Sequence, residues 1–339
     1  MSINKLNSVL APAYENFPKG RIVSLIVLRT THSETIFRTE GSGEPMCSEF
    51  VPAGLEDKKT IVQRLVMTKR KQVAPERRRG REFLRAHELL YTSQKEGALC
   101  SLNTNAPCEM CVDCFLYGFA AGGGGAQKSR IWTEDAFSIL TAGQAVGDRT
   151  INAIFENGTM RDENRKPSTA LNTSEYIKPG VHFIDVVTLK DVTADELRYA
   201  IGNILLTSRY GAVSSRVGRM ENQILGVFGS IAELPSSLEL VQATYDALPK
   251  PLEHPFDTDV LSATVKQVIS NWTQKRGVSM QLSQDELDSL IADVDRHWSE
   301  TERDDFLKRL NKSYEPFRLP PAEKKSKSKT KKTPVETES

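Results

Sequence analysis

The chain has 339 residues, 39% of them hydrophobic and 26% charged, with a formal net charge of +1. That composition is ordinary for a globular protein, and the length suits one elaborated domain or two. No apolar run approaches the roughly 18 residues of a membrane span, and the opening MSINKLNSVLAPAYENF lacks the apolar core of a signal peptide; no membrane association and a cytoplasmic location are expected.

In chain order, the apolar run at residues 22–28 has the length of a buried strand, and because both of its faces are apolar it should be central. Residues 35–38 continue it or pair with it. Residues 60–68 form a second strand that runs into a basic cluster, which Pro75 interrupts. Phe83, Leu84, His87 and Leu90 fall near one face of a predicted helix over 81–91. Short strands are predicted at 130–133, 150–156 and 182–189. The polar stretch 157–178 between the last two is a projecting loop or hairpin. Leu197, Ile201, Ile204 and Leu205 mark a helix over 195–208, and residues 222–231 another strand. The C-terminal third is helical, with Leu261, Val265, Val268 and Trp272 on one apolar face and Leu287, Leu290, Ile291, Val294 and Trp298 on the next. Ser283 and Glu286 form a capping box for that last helix. The low-complexity, lysine-rich tail at 319–339 should be disordered. Strands mixed with crossover helices, then a helical end, predict an α+β core with insertions.

The small net charge hides a polarity. Between Lys58 and Arg85, eleven basic residues face only Glu76 and Glu82, a net +9, whereas Glu233 to Asp305 carries −9. One part of such a chain can face a polyanion, and copies can stack head to tail. Lys69, Arg70, Lys71, Arg77, Arg78, Arg79 and Arg81 are candidate nucleic-acid contacts. Phe83 is the only aromatic residue in 58–85, so the segment should track phosphates rather than stack bases.

Cys100, Cys108, Cys111 and Cys114 lie within fifteen residues. Two residues between cysteines let both thiolates reach one ion, and zinc takes four such ligands in a tetrahedron. A structural zinc ion is expected, since four cysteine ligands leave no open position. An iron–sulfur cluster is the rival occupant, and His87 or His182 could replace Cys100. Cys47 stands apart and reads as a free thiol.

GGGGAQKS resembles a phosphate-binding P-loop but has Gln127 where glycine should precede Lys128. The glycines allow close backbone approach to a ligand, with Lys128 and Arg130 following, or form a flexible link. Arg209, Arg216 and Arg219 in SRYGAVSSRVGRME make a second glycine–arginine stretch, either an ordinary turn or a phosphate contact.

Three blocks, RIVSLIVLRTTHSETIFRTEG, CEMCVDCFLYGFAAGGGG and SRYGAVSSRVGRME, together resemble the backbone subunit of the type I-D CRISPR Cascade effector, a Cas-seven-type protein. The resemblance covers residues 15–318. It implies a ferredoxin-like, RNA-recognition-type core over 1–318 with a basic and zinc-binding insertion at 58–128 and a thumb at 157–178 bearing Arg161, Arg165 and Lys166. It implies that several copies polymerise along one guide RNA (crRNA), beside other effector subunits, and that the guide pairs with target DNA. Residues 209–219 would line the guide channel. Such a subunit must hold any guide sequence, so gripping phosphates and leaving base edges to pairing is the chemistry to expect.

Some relatives in the wider superfamily cut the bound target strand with an acid on the loop after the first strand. Here that loop offers His32, Glu34, Glu40 and Glu44, with no evident cluster of acids. A non-enzymatic scaffold is expected, and Glu34 is the candidate on which a nuclease would depend. A monomeric zinc-containing RNA-binding protein is the other alternative.

Overall fold

The computed structural model describes residues 2–37, 46–121, 125–152, 161, 164, 166, 171–213, 216–276 and 278–318. The tail from 319 lies outside them, as does most of the stretch 153–170. Helix α1 (Ser2–Lys5) opens the chain, and β1 (Ile22–Thr31), β2 (Ser48–Pro52) and β3 (Ile61–Met67) lead into helix α2 (Lys69–Ala86). There follow α3 (Val112–Tyr117), β4 (Phe119–Ala121), β5 (Gly125–Gln127), β6 (Ile131–Thr133), β7 (Ala136–Thr141) and α4 (Ala142–Ala145). Next come β8 (Val146–Asn152), β9 (Leu171–Ile177), β10 (His182–Lys190), α5 (Ala194–Leu205), β11 (Arg209–Val213) and β12 (Arg216–Ser230). The helical end comprises α6 (Ser237–Ala247), α7 (Thr258–Arg276), α8 (Gln284–Trp298) and α9 (Arg303–Lys312), with β13 (Met280–Gln281) between α7 and α8.

The result is a mixed α+β architecture around one antiparallel sheet, ordered β11-β12-β1-β10-β7-β3-β2, with β6 on β10 and β13 on β12. Alternation along β1 explains why its sequence is apolar on both faces. Val23, Leu25 and Val27 join a core with α5, α8, α9 and the four cysteines. Ile26 and Leu28 join a second core with α6 and α7 on the opposite face. Arg29 continues the odd-numbered set and is wholly buried.

Helices α5, α6 and α8 each begin with a capping box, at Thr193 and Glu196, Ser236 and Glu239, and Ser283 and Glu286. Helix α2 lacks a side-chain cap from Thr68, and Asp135 Oδ1 accepts the Lys69 backbone N–H at 2.8 Å instead. Gly80 lets α2 lie against α5, since a Cβ there would meet Asn203 Oδ1 and Tyr199 Oη at 2.5 Å.

Several boundaries differ from the sequence reading. The basic cluster is helical from Lys69, so Pro75 lies inside α2 rather than interrupting it, and the helix ends at Ala86, not 91. Proline there removes one helix hydrogen bond, but Pro75 and its neighbour Glu76 are both buried and tie the helix to the sheet. Thr35 neither extends nor pairs with β1; it bridges to Ile177. Within the stretch 157–178, read as a projecting loop or hairpin, strand β9 pairs with β8 from Val146↔Ile177 to Asn152↔Leu171 as a two-stranded sheet of its own. Residues 209–219, read as either an ordinary turn or a phosphate contact, form a ribbon in which β11 pairs with the start of β12.

Candidate nucleic-acid interface and metal centre

Helix α2 divides its cations between two directions. Gln72, Pro75, Glu76, Gly80, Arg81 and Leu84 are buried, whereas Lys69, Arg70 and Arg78 are exposed. The outward residues Arg70, Lys71, Arg78 and Arg79 face Ser208, Arg209 and Gly211 at the start of the β11–β12 ribbon across a cleft of about 670 Å³. Residues from two basic blocks more than a hundred positions apart in sequence thus meet in one channel. Arg209 also sits directly opposite Arg219 in the ribbon. Like charges in that position repel, and a polyanion laid over the ribbon relieves the repulsion. No carboxylate pairs with Lys71, Arg78 or Arg219 among the described residues, whereas Arg79 holds Glu82 at 2.8 Å.

Other predicted contacts point inward. Arg77 donates to both oxygens of Asp113, at 3.0 and 2.7 Å, and Arg81 donates to Asp113 Oδ2 at 2.7 Å and to the Cys100 carbonyl at 2.5 Å. Arg130 is committed to Glu196, which also accepts from the Tyr314 hydroxyl. These three guanidinium groups hold the fold and do not line the α2–β11 cleft. Lys128 is exposed just beyond β5 and does not line that cleft. The backbone of Arg216 pairs with Val213. Arg161 and Lys166 are exposed between β8 and β9, and Arg165 lies outside the described residues.

Beneath the cleft lies a buried polar cluster that sequence reasoning did not single out. Asp185 Oδ2 accepts from Arg29 Nε at 3.0 Å and Nη2 at 2.8 Å, and Glu76 Oε1 and Asn222 Oδ1 accept from Nη1 at 2.8 and 2.9 Å. The Tyr210 hydroxyl donates to Glu76 Oε1 at 3.1 Å and accepts from Asn222 Nδ2 at 2.7 Å. One cluster therefore fixes β1, β10, β12, the ribbon strand β11 and helix α2 relative to one another. Burial pushes the Glu76 and Asp185 carboxyls above their ordinary values, with Arg29 opposing that shift. The available signal was an arginine at the end of a strand apolar on both faces.

The four cysteines converge. Their sulfurs lie within 4.8 Å of one another, all four residues are buried, and no other such group occurs among the described residues. Cys114 Sγ is 3.8 Å from Cys100 Sγ and 3.9 Å from Cys108 Sγ. A tetrahedron of thiolates about 2.3 Å from a central ion has edges of about 3.8 Å, so the geometry fits a metal ion. Backbone N–H groups of Cys108, Met110 and Cys111 point at the Cys100 and Cys108 sulfurs at 3.3–3.5 Å, as donors to thiolates. The Cys108 thiol pulls the Cys100 pKa down, while Cys100 and Cys108 push Cys114 up. A bound cation lets all four ionise together. His87 bonds Asp304 and His182 bonds Thr258, so neither is a fourth ligand.

Glu34, the candidate acid, is half-buried and ion-paired with Arg149 of β8, while Glu40 and Glu44 lie outside the described residues. His32 faces Glu221 at 2.7 Å.

A family model described as Csc2 Crispr matches residues 9–307. The chain belongs to the Csc2 CRISPR family. The crystal structure of Thermofilum pendens Csc2 superposes with a TM-score of 0.57 at 18% identity, over 94% of this chain and 98% of that one, and shows the shared fold. A CRISPR RNA-guided surveillance complex aligns at 10% identity over 74% of this chain and 83% of its own, with a TM-score of 0.41, too low to support an argument. No curated protein matches at a significant level. No helix among the described residues is long and apolar enough to cross a membrane.

Proposed function

We propose that this Csc2-family chain is a backbone subunit of a type I-D Cascade effector, whose copies coat a guide RNA and present it for pairing with target DNA. The observation that carries the reading is the cleft between α2 and the β11–β12 ribbon, which Lys71, Arg78 and Arg209 line together. A channel of fixed cations binds phosphates of any sequence. Strand order β12-β1-β10-β7, with α2 and α5 as crossovers, supports the ferredoxin-like core of an RNA-recognition fold, with β2 and β3 added at one edge. The separate β8–β9 hairpin, with Arg161 and Lys166 exposed beyond it, supports the thumb reading.

The metal we assign is zinc, because an all-thiolate tetrahedral set suits it. Its part is structural: the ion would tie Cys100 to the 108–114 turn and so hold Asp113 against Arg77 and Arg81 of α2. The acidic C-terminal helices, with Asp285, Asp288, Asp295 and Glu300 exposed, support a head-to-tail array in which unlike surfaces meet. We read the chain as non-catalytic and cytoplasmic.

Light scattering on the purified chain with single-stranded RNAs of increasing length tests this. Bound copies should rise in steps with RNA length, whatever the base sequence. One copy at every length would overturn the backbone reading in favour of a monomeric zinc-containing RNA binder.

A further inference from the structure

The β11–β12 ribbon that forms one wall of the basic cleft is not a regular ladder. Tyr210 pairs with Gly218 and Ala212 with Val217, so Gly211 is an extra residue in β11 and makes a bulge. Its φ of +62° lies in the left-handed region that favours glycine. A Cβ on Gly211 would collide with the Ile36 carbonyl oxygen, and one on Gly218 with Thr35 Oγ1. Glycine on both strands therefore lets the loop after β1 press directly on the base of the ribbon.

The two residues before the bulge point opposite ways, as neighbours in a strand do. Arg209 is exposed, lines the cleft and donates from Nη1 to the Val217 carbonyl at 3.3 Å. Tyr210 is fully buried, and its hydroxyl donates to Glu76 Oε1 of α2 at 3.1 Å and accepts from Asn222 Nδ2 of β12 at 2.7 Å. The phenol thus ties the ribbon wall of the cleft to the helix wall, and its rigid ring sets the distance between them. Like charges on the two walls push them apart until a polyanion arrives, and a hydrogen bond beneath them opposes that. We propose that Tyr210 is a positioning residue for the RNA channel: set by the Gly211 bulge, it holds Arg209 at the spacing from Lys71 and Arg78 at which one phosphate backbone meets both walls. The inference rests on the α2–β11 cleft being that channel.

The test uses the full chain and single-stranded RNA of mixed sequence at several salt concentrations. Removing the hydroxyl leaves its partners bonded, since Glu76 keeps Arg29 and Asn222 Nδ2 keeps the Ile204 and Thr207 carbonyls, so Tyr210→Phe should fold. Arg209→Ala should weaken binding about tenfold, the worth of one charge-assisted contact, and lower the slope of log affinity against log salt by about 0.7. Tyr210→Phe keeps every cation yet should produce both effects, and adding it to Arg209→Ala should change neither any further. Gly211→Ala should behave as Tyr210→Phe does. A Tyr210→Phe slope equal to that of the wild-type chain, or losses that add in the double variant, overturns the positioning role while leaving the channel intact. Wild-type binding and slope in Arg209→Ala overturn the channel and the positioning role with it.

Discussion

Replacing Arg29 with methionine should be among the most damaging single changes in the molecule. The side chain is fully buried, and it is the only cation among Glu76, Asp185, Tyr210 and Asn222. Methionine fills much of the volume but leaves two buried carboxyls without their counter-charge, and Asp185 Oδ1 already lacks a partner. Breaking a buried pair in this way costs about 3–5 kcal/mol, a large part of the roughly 5–15 kcal/mol that holds a typical domain folded. Urea unfolding followed by circular dichroism measures the loss. The triple variant Arg29→Met, Glu76→Gln, Asp185→Asn removes the stranded charge and should recover part of the stability. Acidity gives an independent check. Carboxyls raised in the folded state bind more protons than in the unfolded chain, so stability rises as pH falls toward the ordinary carboxylate range. The Arg29→Met defect should therefore shrink between pH 7 and pH 5. A loss below about 1 kcal/mol, or a triple variant no more stable than the single one, would refute the view that Arg29 offsets two buried charges.

Removing Arg78 or Lys71 as alanine should lower the slope of log affinity against log salt for single-stranded RNA by about 0.7 each, whereas Arg81→Ala should leave the slope unchanged and lower stability instead. Elemental analysis should find one zinc per chain, and either chelation or Cys111→Ser should lose the metal and expose the 100–118 segment to protease, at a local cost of several kcal/mol; visible absorption from iron would refute the zinc assignment. Burial holds His182 down to about 4 from its ordinary 6.5, so the unfolded chain binds the extra proton and stability is lost as pH falls from about 6.5 to 4, by about 3 kcal/mol in all. His182→Gln should flatten that part of the pH–stability curve measured by thermal unfolding.

The sequence was most legible where a single local rule applied. Apolar residues on both faces of 22–28 required a doubly covered strand, and β1 lies between two cores. The Ser283–Glu286 spacing required a helix start, and α8 begins there. Cysteine spacing brought four sulfurs together. What stayed illegible depended on partners distant in sequence. Pro75 read as an interruption because its local cost is real, while the buried Glu76–Arg29 pair that ties α2 to the sheet beside it is a tertiary contact. Without a continuous helix, the arginines could not be sorted by face. With one, Arg77 and Arg81 fall one turn apart on the side that meets Asp113, and Arg78 on the side that meets the ribbon.

The same sorting explains why a metal site and a basic cleft share one short region. Eight cations in α2 repel one another, and a helix that crowded with like charge is unfavourable unless some are neutralised. Asp113 engages two of them from within, and it reaches both Arg77 and Arg81 from α3, which is held where the cysteines converge. Glu82 engages a third at the surface. The cations left facing the cleft are therefore carried by a helix whose inner arginines are already held by a carboxylate. Loss of the metal should then weaken RNA binding through α2 even though no cysteine lines the channel: affinity and metal content should fall together in Cys111→Ser, while Asp113→Asn should lower affinity with the metal still bound.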